Sequence, residues 1–176
     1  EIDHPTGASY GRDANVAALE RLMRSRDASC QTELLATLGD ALMLGRRRVH
    51  ASATGGGRFD VGEYAQEAYS VAELGADGRW CRHEVFGADR LGHAIARLYE
   101  RYAESMANGP EREQAAGRAR AIGAALRSAT LDEWSDGVAD AFELVDHRVL
   151  GTGGLRGGEA MRANFRAMFE LEDIAE

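Results

Sequence analysis

Four strand-like runs follow one another closely: Thr32–Leu38, Ala41–Ala53, Glu63–Leu74 and Arg79–Phe86. Their separators are Gly39-Asp40, a stretch holding Gly55-Gly56-Gly57, and Ala76-Asp77-Gly78. Glycine and aspartate tolerate the positive φ angles of tight turns, so the separators read as hairpin connections. Strands joined in this way form an antiparallel meander, because a parallel neighbour needs a long crossover. The flanking segments supply helices, which bury one face of a strongly bent sheet.

The clearest helical pattern is Asp89–Ser105. Leu91, Ala94, Ile95, Leu98, Tyr99 and Tyr102 share one apolar face, and Asp89 can cap the start. Leu91, Ile95, Leu98 and Tyr99 are expected to bury against the sheet or a neighbouring chain. Asn108-Gly109-Pro110 stops this helix and starts another near Glu111, with Ala115, Ala119, Ile122, Leu126 and Ala129 on one stripe. Thr130 or Asp132 can cap a short helix through Trp134 to about Phe142, weakened by Gly137. Asp13–Ser25 and Gly158–Leu171 are the remaining helical segments.

Composition narrows the class. The 176 residues suit one domain, or one domain and part of another. Hydrophobic residues at 44% and charged residues at 28% are ordinary for a globular chain. No run approaches the ~20 apolar residues of a membrane span, and no secretory start is present, so a cytoplasmic location and no membrane partner are expected. Cys30 and Cys81 are too few and too far apart for a disulfide framework or zinc knuckle, and read as small reduced core residues. A net charge of −8 argues against a nucleic-acid partner. All 21 basic residues are arginine, which a GC-rich coding bias, as in a GC-rich bacterium, explains better than anion binding at every position.

The chain also repeats itself. It opens EIDHPTGASYGRDANVAALERLM and later reads ELVDHRVLGTGGLRGGEAMRANFRAMF. Asp3-His4 matches Asp146-His147, an offset of 146 − 3 = 143. Ala14, Leu19, Leu22 and Met23 match Ala160, Phe165, Met168 and Phe169 at an offset of 160 − 14 = 146, a longer turn making the difference. A repeat of this length indicates tandem domains.

These residues resemble the SnoaL-like, or nuclear transport factor 2-like, family. DEWSDGVADAFELVDHRVLGTGGLRGGEA is similar to the family's opening helices and Asp-His-Arg strand. DGRWCRHEVFGADRLGHAIARLYERYAE is similar to its closing strand and last helix. The resemblance implies an α+β domain: a strongly bent antiparallel sheet forming a cone, with helices packed on its concave side around an apolar cavity. Residues 1–105 resemble such a domain without its first two helices, 106–110 a linker, and 111–176 the opening helices, Asp-His strand and following helix of a second copy. That second part can complete the first by permutation or by a swap between chains, so a homodimer, with swapped helices as one arrangement, is expected. Pro5 stands where the second copy has Arg148, leaving the first motif incomplete.

The family's enzymes often use an inward aspartate as a general base, which partial burial tunes. The resemblance therefore offers Asp3 and Asp146 as catalytic candidates. Adjacent strand residues face opposite sides, so Asp146 and His147 cannot both enter the cavity without a bulge. The competing role for the pair is to hold backbone in the next turn and fix the strand end. His4 and His147 join the ligand-binding candidates.

Alternation adds others. On Ala41–Ala53, Leu42, Leu44, Arg46, Arg48 and His50 oppose Met43, Arg47 and Val49. On Glu63–Leu74, Tyr64, Gln66, Ala68 and Ser70 oppose Glu67, Tyr69 and Val71; on the last strand, Trp80, Arg82, Glu84 and Phe86 oppose Cys81, His83 and Val85. His50, Tyr64, His83 and Glu84 can supply polar groups to a cavity, although a solvated outer face accounts for the arginines and glutamates more cheaply. Arg46-Arg47-Arg48 divides between two faces and is no single anion patch. Gly55-Gly56-Gly57 lacks the lysine and helix of a phosphate loop. No metal-ligand spacing, nucleophile elbow or cofactor motif occurs, so neither metal nor cofactor is expected.

Three functional readings follow. The chain is a small-molecule-binding pocket domain, a sensing or assembly module within a tandem SnoaL-like protein, whose partner is a small apolar or polyketide-like molecule. Alternatively, it is an Asp-dependent lyase, isomerase or cyclase acting on a small apolar carbonyl compound. In the third reading it is a dimerisation unit with its cavity filled by side chains.

Overall fold

The computed structural model describes residues 1–52, 63–127, 138–145, 147 and 154–172. They fall into two compact units, Glu1–Ala119 and Arg120–Glu176. The first holds β1 (Ile2–Asp3), β2 (Ala8–Ser9), α1 (Arg12–Met23), β3 (Ser29–Leu38), β4 (Leu42–Ala51), β5 (Tyr64–Leu74), β6 (Trp80–Gly87) and α2 (Leu91–Ser105). A further helix, α3 (Pro110–Arg127), crosses the division between the units. The second unit pairs β7 (Glu143–Leu144) antiparallel with β8 (Leu155–Arg156) and ends in α4 (Gly158–Glu172).

The class is α+β, and β3 to β6 form the meander that the turn chemistry implies. Gly39 (φ 63°) and Gly78 (φ 73°) occupy the left-handed region at two of its turns. The complete sheet, in the order β2-β1-β6-β5-β4-β3, departs from the expected antiparallel one. β1 runs parallel to β6, with Ile2 opposite Glu84 and Asp3 opposite Val85, and His4 N–H donates to the Val85 carbonyl at 3.0 Å. This parallel pairing is possible because most of the unit lies between the two strands as a crossover. The sheet is open, with β2 and β3 at its edges.

Helices lie on both faces of this sheet, not on one. Leu42 and Leu44 of β4, Val71 of β5 and Phe86 of β6 pack against Ala94 and Leu98 of α2. The opposite pleat, with Met43 and Val49, faces a cavity that Ala18, Leu19 and Leu22 of α1 also line. The two coverings differ in quality. Leu98 is 3% exposed, and Ile95 and Tyr102 pack beside it. By contrast, α1 buries no residue, and its Met23 is 66% exposed.

Several sequence expectations need correction. Leu91 is exposed because it opens α2, whereas Tyr99 is half-buried. Asp89 does not cap that helix: the cap position is Arg90, and Asp89 ion-pairs with Arg90 at 3.3 Å. Cys30 and Cys81 are both exposed and free. Cys30 sits on the edge strand β3, which is exposed along nearly all its length, and Cys81 sits where the β5–β6 register shifts. The proposed short helix at 130–142 falls largely outside the described residues, and Phe142 N–H closes a turn onto Ala139.

The repeat has a structural counterpart. Each copy is a short antiparallel strand pair followed directly by a helix, and the helices start 158 − 12 = 146 residues apart, the offset at which their side chains match. Since Leu98 anchors the better-packed face, Leu98→Ala should destabilise the first unit by about 2–5 kcal/mol in chemical denaturation.

Candidate functional site

On the α2 face the chain buries a charge. Glu84 is 1% exposed, in a position that also suited a solvated outer surface. Its carboxylate accepts from Arg82 Nε at 2.6 Å, from Arg97 Nε at 3.1 Å to each oxygen, and from His4 Nε2 at 3.0 Å. Burial alone would raise the Glu84 pKa, but the hydrogen bonds from Arg97, Arg82 and His4 outweigh it and bring it down to about 2. A carboxylate can only accept, so His4 carries its proton on Nε2 here. The His4 ring also stacks on Phe86, with centroids 4.3 Å apart.

This cluster is a structural clamp. Arg97 continues to Glu104 at 2.9 Å, and Arg101 joins Glu104 to Glu73 of β5, the latter at 2.5 Å. His4 borders a smaller cavity of about 430 Å³, which Asp89, Arg90 and His93 also line.

The larger cavity, about 910 Å³, lies on the opposite face within the first unit. Its apolar walls include Leu19 and Leu22 from α1, Leu34 from β3, Met43 and Val49 from β4, and Trp80 from β6. Gly45 leaves room in the floor: a Cβ there would stand 3.1 Å from the Thr32 methyl. At one end, His83 Nδ1 lies 2.7 Å from Glu1 Oε2, which also accepts from Asn15 Nδ2 at 3.3 Å. Where the Glu1 carboxylate accepts this bond, His83 Nδ1 is the donor, and no described group bonds His83 Nε2. Arg47, Gln66 and Ser70 also reach this cavity.

The sequence candidates scatter. His83 and Tyr64 line the large cavity, and the Tyr64 hydroxyl donates to Gln66 Oε1 at 2.5 Å. Asp3 is not among the residues lining either cavity; its carboxylate accepts from Thr6 N–H at 3.2 Å, holding the turn after the strand. His50 pairs with Glu63 at 3.2 Å, and Glu84 belongs to the clamp. His147 is exposed in the second unit, and Asp146 lies outside the described residues.

Reasoning from sequence missed Glu1, Asn15 and Arg47. Alternation had already put Arg47 with Met43 and Val49, and Tyr64 with Gln66 and Ser70; the missing fact was which pleat faces the cavity. It also placed Trp80 with Arg82 and Glu84. A register shift instead pairs Leu74 with Trp80 and Glu73 with Arg82, making Cys81 an extra residue and turning Trp80 toward the side of His83.

No family model, curated protein or solved structure matches the chain. Among the described residues no group of His, Cys, Asp and Glu could hold a metal ion, and no helix is long and apolar enough to cross a membrane.

The Glu84 clamp generates a pH prediction. Its folded pKa is depressed, so its stabilisation is present above the unfolded value of about 4.3 and is lost as pH falls through about 2. The shift corresponds to roughly 3 kcal/mol at neutral pH. Glu84→Gln should remove this acid dependence. It should also destabilise the unit by roughly 3–5 kcal/mol at pH 7, because Arg97 and Arg82 lose their buried partner. Denaturant titrations of both proteins across that pH range check both expectations.

Proposed function

We propose that the first unit is a small-molecule-binding pocket domain for a small apolar or polyketide-like molecule, serving as a sensing or assembly module of a tandem SnoaL-like protein. The observation carrying this reading is the cavity of about 910 Å³, with apolar walls and a few convergent polar groups. Its size argues against the reading of a dimerisation unit with a filled interior. In this proposal the cone of the family corresponds to the pleat of the sheet that α1 covers.

A second reading, favoured by the 2.7 Å contact between His83 and Glu1, is an acid–base enzyme acting on a small apolar carbonyl compound. A lyase, isomerase or cyclase needs a base within reach of the substrate, and His83 lines the cavity whereas Asp3 does not. The aspartate-dependent form of this reading therefore rests on Asp146, and the histidine-dependent form on His83.

The neutral dye nile red should bind with enhanced emission. Ala18→Phe, at an exposed helix position that lines the cavity, should weaken binding about tenfold without changing the unfolding midpoint. Absence of dye binding by the parent protein would defeat the pocket reading.

The same reading includes a cytoplasmic homodimer, in keeping with the free cysteines. It is supported by the recurring hairpin-and-helix unit and by β3, an exposed edge strand of ten residues able to pair with another chain. Light scattering should give twice the chain mass at micromolar concentration; the chain mass at every concentration would defeat self-association.

A further inference from the structure

β4 places three consecutive arginines on the sheet, and its neighbours treat them differently. Arg46 lies opposite Glu33 of β3 and binds it at 2.6 Å; Arg48 lies opposite Glu67 of β5 and binds it at 2.9 Å. Arg47, on the other pleat, lies opposite Thr32 and Ala68, neither of which can neutralise it. Arg47 makes no ion pair with any described residue. It is half-buried and lines the large cavity beside Val49 and Thr32. The one acid among the described residues lining that cavity, Glu1, is engaged by His83 and Asn15.

A guanidinium against apolar walls loses hydration that only an anion or several acceptors can replace. Its planar fork matches a carboxylate in bidentate fashion, and such pairs exceed neutral hydrogen bonds in strength. We propose that the cavity takes an amphipathic carboxylic acid, its carboxylate on Arg47 and its apolar body along Met43, Leu34 and Leu22. The strand register puts Arg47 four residues along β4 from Met43 (47 − 43), and Met43 aligns with His83 through Ala72. At ~3.3 Å per residue and ~4.8 Å per strand, the Arg47 and His83 backbones stand roughly 16 Å apart. The acid is therefore elongated, and its far end lies toward His83.

This inference rests on the pocket reading above. Decanoate and decanol share an apolar chain and differ in charge, so isothermal titration of the full chain with each separates the two claims. Decanoate should bind at least about tenfold more tightly than decanol. Arg47→Gln should cost decanoate that advantage and leave decanol affinity unchanged, whereas Arg46→Gln, on the other pleat, should change neither. If Arg47→Gln misfolds, Arg47→Lys serves, keeping the charge but not the fork, and should lose part of the preference. Equal affinity of the two compounds for the parent protein would overturn the carboxylate assignment alone, as would an equal loss for both in a folded Arg47 variant. Failure of both compounds and of nile red to bind would overturn the pocket reading with it.

Discussion

Glu84 accepts hydrogen bonds from Arg82 on its own strand, from Arg97 on α2 and from His4 just beyond β1. The amino-terminal hairpin thus meets β6 and the helix that follows it at one buried carboxylate. The clamp fixes α2 against the meander and holds the amino-terminal hairpin to β6, where only Ile2 and Asp3 are paired. That hairpin carries α1, and α1 covers the cavity. A two-residue strand is a weak anchor by itself. Charge on one face of the sheet therefore helps to position the covering of the other.

The strand pattern made the meander legible: no strand end lies more than three residues (32 − 29) from its expected place. The turn glycines and the period-two pattern agreed, and agreement between local signals makes a segment readable. The pairing of β1 with β6 was not legible, because two residues carry no periodicity. The exposed cysteines escaped for a related reason. Composition treats cysteine as a small core residue, but β3 became an edge strand and Cys81 fell at a register shift.

The site was legible in pieces. Alternation sorted Met43, Arg47 and Val49 of β4 and Tyr64, Gln66 and Ser70 of β5 onto the pleats that line the cavity, yet assigned chemistry by residue type. The family resemblance favoured Asp3 and His4, and residue type favoured Glu84, which the fold uses for a turn and a clamp. Residue type passed over Arg47 because three adjacent arginines resemble a solvated strand. What distinguishes Arg47 is the neighbouring strands: glutamate stands across from Arg46 and Arg48, threonine and alanine across from Arg47. Cross-strand partners are fixed by register, which a single segment does not disclose.

The unequal covering of the two faces has an energetic consequence. The α2 face, with Leu42, Leu44, Val71, Phe86 and Leu98, is packed, and packing of this kind supplies most of a domain's stability. A cavity of about 910 Å³ on the other face means that apolar side chains there forgo such contacts. That face contributes little until something fills it, and α1, with no buried residue, is held only lightly over it. A ligand that binds the folded unit alone adds stability in proportion to the logarithm of its concentration over Kd. Under the pocket proposal such a ligand would pack against Leu19 and Leu22 of α1, so affinity and the seating of α1 over Met43 and Val49 would be coupled. In that proposal the stability that a better-packed face would have supplied is transferred to the binding event, as suits a sensing module.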